Sequence, residues 1–116
     1  MPATRQTTAR FASRTVHGID DAGTRETILL WIEWQHGGQW AVGRMVNPHL
    51  RENPNQARSD DYVFTGFEMQ DALDAANDAL ESDLDVSYED GAEEEVAPFE
   101  EEELRVKLER WFFDHR

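Results

Sequence analysis

The feature of this sequence that most constrains its fold is a pair of apolar segments separated by two glycines. Residues 27–35 are mostly β-branched, aromatic or leucine, and residues 39–46 form a second apolar run. Between them, Gly37-Gly38 is a dipeptide typical of a tight two-residue turn. We therefore predict a β-hairpin at the centre of an antiparallel sheet.

The register of that hairpin assigns its side chains to two faces of the sheet. With a two-residue turn, Ala41 lies opposite Trp34 and Arg44 lies opposite Trp31. The face that we predict to be the core is almost wholly apolar and carries Ile28, Leu30, Ile32, Trp34, Ala41, Gly43 and Met45. The second face is mixed but too apolar to be left in water, and it carries Leu29, Trp31, Glu33, Trp40, Val42, Arg44 and Val46.

Weaker patterns complete an α+β fold. Strands are predicted at about residues 5–16 and 61–64, which gives a three- to four-stranded antiparallel sheet, with residues 47–61 as a loop. A helix is predicted over residues 66–82, since Thr65 and Glu68 fit a capping box. Residues 1–82 are thus expected to form an α+β core domain.

The predicted helix over residues 66–82 is amphipathic. Its apolar side recurs at intervals of four and three residues and consists of Met69, Leu73, Ala76 and Leu80, with Ala72 and Ala79 beside them. Its opposite side is acidic and consists of Asp71, Asp74, Asp78 and Glu81. We expect the apolar side to cover the core face of the sheet.

The C-terminal part of the chain is interpreted as a linker followed by a helix. Residues 83–97 are acidic and low in complexity, which is typical of a flexible linker. Residues 98–116 are predicted to form an additional amphipathic helix, with Pro98 at its first position. Its apolar stripe is Leu104, Leu108, Trp111 and Phe112. Such a stripe must dock, either on the second sheet face or on a partner.

Charge is distributed unevenly along the chain, whose formal net charge is -14. Residues 1–58 contain seven arginines and five acidic residues, whereas residues 59–116 contain 20 acidic residues and four bases. An acidic half repels nucleic acid and attracts basic surfaces. It is therefore interpreted either as a solubilising segment or as a surface that engages a basic protein, including by mimicry of a phosphate backbone.

The residue inventory offers little chemistry. The chain has no cysteine, no Gly-x-Ser-x-Gly motif and no phosphate-binding glycine loop. The four histidines, at positions 17, 36, 49 and 115, show no helical pairing, and the acidic run from Asp83 to Glu94 has Tyr88 where a calcium loop needs glycine. We predict a protein that is not an enzyme and has no cofactor or metal.

The same inventory gives an expectation about location. The first residues are polar, and no apolar run approaches the roughly 18 residues of a membrane span. The absence of cysteine suits a reducing compartment. We therefore expect a cytoplasmic protein without membrane contact.

These patterns favour a small acidic interaction or regulatory protein that acts through a sheet face and the C-terminal helix. The candidate partner-binding residues are Trp31, Trp40, Arg44, Leu104, Leu108, Trp111 and Phe112. The partner is expected to be a protein, either a second copy in a homodimer or a basic protein.

The alternative is a module that binds single-stranded nucleic acid and is restrained by its own acidic segment. Trp31 and Trp40 would then be a stacking platform beside Arg44, with further arginines along the phosphates at positions 5, 10, 14, 51 and 58. The net charge disfavours this alternative.

Overall fold

The computed structural model describes residues 9–19, 22–35, 37–53, 56–87 and 96–114. The protein is of the α+β class, as predicted, with a four-stranded antiparallel sheet and two helices. The strands and helices are, in chain order, β1 (Ala9–Ile19), β2 (Arg25–Gln35), β3 (Gln39–Val46), β4 (Tyr62–Gly66), α1 (Met69–Ser87) and α2 (Glu101–Asp114). Two single-turn 3₁₀ helices, Pro48–Leu50 and Ser59–Asp61, lie between β3 and β4.

The sheet is a meander in which each strand pairs with the next along the chain. Its order is β1-β2-β3-β4, so β1 and β4 are the edge strands. The first predicted strand, about residues 5–16, is observed from Ala9, and residues 5–8 lie outside the described part of the chain. The fourth, predicted at residues 61–64, extends to Gly66 because Gly66 still pairs with Trp40.

The hairpin between β2 and β3 exists, but its predicted register is wrong by one residue. Gln35 pairs with Gln39, so the connection spans residues 36–38 rather than Gly37-Gly38 alone. Gly38 donates its backbone N–H to the Gln35 carbonyl at 3.1 Å, and both glycines have positive φ. This wider turn uses both glycines in a left-handed conformation that other residues rarely adopt.

A shift of one residue moves every β3 side chain to the opposite face. Trp40 pairs with Trp34, Val42 with Ile32, and Arg44 with Leu30. We call this the helix-bearing face, and its buried members in β2 and β3 are Ile28, Leu30, Ile32, Trp40 and Val42. The far face carries Trp31, Glu33, Ala41, Gly43 and Met45. The predicted core face is therefore right for β2 and wrong for β3.

Helix α1 covers the helix-bearing face with the predicted apolar side. Ala72, Leu73, Ala76 and Leu80 are buried in the core cluster. The helix begins at Met69 rather than residue 66, because Thr65, the predicted cap, belongs to β4 and the Ala72 N–H bonds to the Glu68 carbonyl. It also runs on to Ser87, so the first five residues of the predicted linker are helical.

Helix α2 packs on the same face of the sheet as α1, and not on the second face, which was one of the two predicted docking sites. Leu104 and the preceding Phe99 are buried in the core cluster with Leu30 and Leu80. Asn77 of α1 exchanges two hydrogen bonds with the Phe99 backbone, at 2.8 and 3.0 Å. Because these bonds fix residue 99 outside the helix, α2 begins at Glu101 rather than Pro98. In the described residues, no helix is long and apolar enough to cross a membrane.

Candidate partner-binding surfaces

Trp31 lies flat against the sheet on the far face and is fully buried. A side chain at Gly43, its pair on β3, would overlap the indole ring, so only glycine leaves room for it. The Arg10 guanidinium lies over the ring, 4.3 Å from its centroid, and the Tyr62 ring meets it edge-on at 6.0 Å. Trp31 is therefore enclosed by its own chain.

A buried carboxylate beside Trp31 collects three hydrogen-bond donors. Glu33 accepts a bond from the Trp31 Nε1–H at 2.6 Å and from the Gln35 amide at 2.9 Å. The Tyr62 hydroxyl donates to both Glu33 oxygens, at 2.9 and 3.0 Å. Burial, together with the bonds to this carboxylate, raises the pKa of Tyr62 to about 12. The network joins β2 to β4 across the glycine of β3.

Trp40 and Arg44 lie on the helix-bearing face instead. Trp40 is buried between Phe11 and Trp34, with ring centroids 5.6 and 4.9 Å away. Arg44 binds the carboxylate of Asp83 in α1 through Nε and a terminal nitrogen, at 2.8 to 3.1 Å. These hydrogen bonds raise the pKa of Arg44 above its ordinary value.

The structure does not bring Trp31, Trp40 and Arg44 together as a platform. Trp31 points to one face and the other two residues point to the opposite one, and both tryptophans are buried. The guanidinium that lies over the Trp31 ring is that of Arg10 and not that of Arg44. The geometry of the expected stacking platform is therefore wrong, because it rested on the shifted register.

The apolar stripe of α2 is divided between core and surface. Leu104 is buried, while Leu108 and Trp111 are partly buried and pack against the core cluster. Phe112 is 52% exposed and its neighbour Phe113 is 67% exposed. The stripe thus docks through its first three members and leaves two phenylalanines at the end of the helix accessible.

Of the two accessible rings, that of Phe112 belongs to a continuous series of edge-to-face aromatic contacts. Trp34 meets Trp111 at 6.2 Å and Phe112 at 6.0 Å between ring centroids, and Trp111 meets Phe112 at 5.4 Å. Through Trp34 the series continues to the buried ring of Trp40. We call Trp34, Trp111, Phe112 and Phe113 the aromatic cluster. Within it, the exposed Phe112 ring is held against Trp34 and Trp111, which pack against the core.

Among the arginines considered as phosphate contacts, Arg14 and Arg51 are engaged within the chain. Arg14 forms a bidentate pair with Glu103 at 2.8 and 3.0 Å and donates to the Ala97 and Pro98 carbonyls. Arg51 pairs with the buried Asp61, whose pKa this contact lowers. Arg5 lies outside the described residues. Arg14 and Arg51 therefore hold α2 and the β3–β4 connection in place.

The outer side of α1 presents carboxylates without an intervening base. Asp71, Asp74, Asp78 and Glu81 are all exposed, as predicted. The whole stretch of residues 59–87 contains no lysine, arginine or histidine. In the part of the chain that is described, no group of three or more histidine or acidic side chains is placed to hold a metal ion.

The fold defines a class, a four-stranded antiparallel meander with two helices on one face. Comparison with family models, with curated proteins and with solved structures found no match to this chain.

Proposed function

We propose that this chain is a non-catalytic interaction protein that binds a protein partner through the aromatic cluster of α2. The observation that carries the proposal is the exposure of Phe112 and Phe113 at the end of a docked helix. Large exposed apolar side chains that lie together are typical of protein interfaces. The absence of cysteine and of nucleophile or phosphate-binding motifs supports a role without catalysis.

The aromatic cluster has the features of an energetic centre of binding. Tryptophan and other aromatic side chains provide much of the binding energy at interfaces, especially where they are already held in place. Here Trp34 and Trp111 restrain the Phe112 ring. Beside the cluster, Arg110, Phe113 and Asp114 line an open depression of about 480 Å³. A partner side chain that enters this depression would meet the Phe113 ring, with a positive and a negative side chain beside it.

The charge of the molecule favours a basic partner over a second copy. The net charge is -14, and part of it lies on the exposed side of α1, which carries a row of carboxylates. Long-range attraction would speed the encounter with a basic protein. Repulsion between like charges would oppose self-association, particularly at low salt. We therefore favour a basic protein as the partner and keep the homodimer as an outcome to be measured.

The nucleic-acid alternative loses the geometry that favoured it. Its two stacking tryptophans are buried on opposite faces, and two of its phosphate-contacting arginines are paired with Glu103 and Asp61. We do not carry it forward as a second proposal.

The experiment is affinity capture from the source cell with three full-length chains. These are the natural sequence, the double variant Phe112→Ser/Phe113→Ser, and the control Leu50→Ser, which changes an exposed apolar residue of the β3–β4 connection. We expect the natural chain and the control to retain the same partner and the double variant to lose it while still showing a cooperative thermal unfolding transition. A sizing column run on the same proteins identifies self-association. Equal capture by all three chains contradicts the proposal.

A further inference from the structure

The outer edge of β4 is a second surface with the features of a docking site. β4 pairs with β3 alone, and in the described residues no strand pairs with its other side. Val63 is 53% exposed and Phe67 is 72% exposed, with Thr65 exposed between them. An unprotected edge of this kind is a template for another strand, and natural proteins usually block it with charge, proline or a cover.

The other edge strand shows what such a block looks like. On β1, Arg14 donates to the Ser13 carbonyl and also to the carbonyls of Ala97 and Pro98, so it holds the segment before α2 against this strand. β4 contains no charged residue, and among the described residues no comparable contact is formed by the exposed side chains of Val63 and Thr65. The two edges are therefore not equivalent.

The surroundings of the β4 edge are acidic. Residues 59–87, which include β4 and α1, contain nine acidic residues and no base. Arg51 neutralises Asp61 and Arg44 neutralises Asp83, both of them buried. Among the other seven, those whose exposure the structure describes are all exposed, before and after the strand and along α1: Asp60, Glu68, Asp71, Asp74, Asp78 and Glu81. An incoming strand would lie among negative charges.

We propose that the outer edge of β4 accepts an extended, basic segment of a partner protein by strand addition. Main-chain hydrogen bonds to β4 would supply affinity, and apolar side chains of the segment would contact Val63 and Phe67. Its lysines or arginines would reach the carboxylates that flank the strand. The inference rests on the proposed function and names the chemistry of the partner and a second contact surface for it.

Charge decides between this occupant and the others. A second copy pairing edge to edge would bring its own acidic flanks against those of the first, which opposes the contact. Nucleic acid and acidic peptides are repelled for the same reason. A basic segment alone satisfies together the β4 backbone that is unpaired within the described residues, the apolar side chains and the carboxylates.

The test uses the full chain, isotope-labelled for amide NMR, and a soluble peptide of alternating lysine and valine. We expect the peptide to shift the amides of Tyr62–Gly66, to slow their hydrogen exchange, and to bind more weakly as salt rises. A matched peptide of alternating glutamate and valine should not bind. Absence of binding by the lysine peptide at low salt, or equal binding of both peptides, would overturn the inference.

Variants locate the contact. Val63→Lys/Thr65→Lys places charges on the β4 edge and should weaken binding about tenfold or more, which corresponds to at least about 1.4 kcal/mol. The matched control Ser13→Lys/Thr15→Lys, at exposed positions of the other edge strand, should bind the peptide normally. Equal loss in both double variants would mean that general charge and not the edge controls binding.

The two proposals fail separately. Phe112→Ser/Phe113→Ser should leave peptide binding unchanged, because both phenylalanines lie in α2 and not in β4. If that variant loses the cellular partner while the lysine peptide never binds, the function stands and the strand-addition site is wrong. If the peptide shifts the amides of α2 instead of those of β4, the strand-addition site is likewise wrong.

Discussion

The two faces of the sheet bury their residues by different means. On the helix-bearing face, aliphatic side chains such as Ile28 and Leu30 pack under the small and apolar residues of α1. On the far face, a single tryptophan lies on Gly43 and is enclosed by Arg10 and Tyr62, with Glu33 bonded to its indole. The stability of the helix-bearing face depends on how completely its volume is filled. The stability of the far face depends on the fit of Trp31 against Gly43 and on the hydrogen bonds to the Glu33 carboxylate.

This difference determines how each face responds to substitution. A packed aliphatic layer loses stability in proportion to the volume removed, because the neighbours relax only partly. The far face should be most sensitive to added volume at Gly43 and to loss of the donors that keep Glu33 bonded, since a buried acceptor without its donors is costly.

The largest effect is expected on the helix-bearing face. Leu30 and Leu73 are buried in the core cluster, so Leu30→Ala or Leu73→Ala should lower the free energy of unfolding by roughly 2–5 kcal/mol through the cavities left behind. Thermal and denaturant melts measure this. Leu50→Ala, at a residue that is 74% exposed, should stay within about 0.5 kcal/mol. A null result for both core variants would contradict the assignment of this face.

The next effect is expected on the far face and arises from one added methyl group. Gly43→Ala places a Cβ where the Trp31 ring lies, so the ring must move. This overpacking should lower the free energy of unfolding by roughly 1–3 kcal/mol. In a Trp31→Leu background, which lacks the ring, the same substitution should cost much less. Equal costs in both backgrounds, measured by denaturant melts, would show that Trp31 and Gly43 are not coupled.

The sequence predicts most of the elements but not their register. Hydrophobic periodicity places β2, β3 and the apolar side of α1, because burial on one side dictates the pattern. The register of β3 depends on whether two or three residues connect the strands, and Gly37-Gly38 is compatible with both. One additional residue in the connection therefore places Trp31 and Trp40 on opposite faces of the sheet.

The contacts that hold the candidate surfaces in place were the least predictable. Asp83 pairs with Arg44 across 39 positions of sequence, and its acidic surroundings resemble a linker. Phe99 is buried because Asn77 binds its backbone, which no local pattern indicates. Glu33 had a visible signal, since a carboxylate within an apolar strand needs donors, and Trp31 and Gln35 stand two residues away on the same face.

A smaller effect is expected from the hydroxyl of Tyr62. Tyr62→Phe removes its bonds to Glu33 and should cost about 1.5 kcal/mol near neutral pH. The pKa of Tyr62 is raised from 10.0 to about 12 in the folded chain, so its contribution is complete below pH 10 and is lost as the pH rises toward 12. An alkaline absorbance titration should show a tyrosinate step near pH 12 that the variant lacks. Its persistence in the variant would contradict the network.

The smallest effect concerns the attachment of α2. The bonds from Arg14 lower the pKa of Glu103 below its ordinary 4.5, so the carboxylate contributes stability above that value, and the contribution is lost as the pH falls through the lowered one. The pair is partly exposed, and Glu103→Gln should cost only about 0.2–1 kcal/mol at neutral pH. The variant should also flatten the acid limb of the stability curve.

A matched control separates this contact from general charge. Glu101→Gln also removes one carboxylate from the first turn of α2, but Glu101 pairs with Arg105 of the same helix and not with the sheet. It should therefore leave the acid limb as steep as in the natural chain. Near-ultraviolet circular dichroism follows the docked state, because Trp111 meets Trp34 only where α2 is attached. The aromatic cluster forms only when α2 is docked. If the acid limb is equally steep in both variants, the Arg14–Glu103 pair is not the contact that attaches α2 and its aromatic cluster to the sheet.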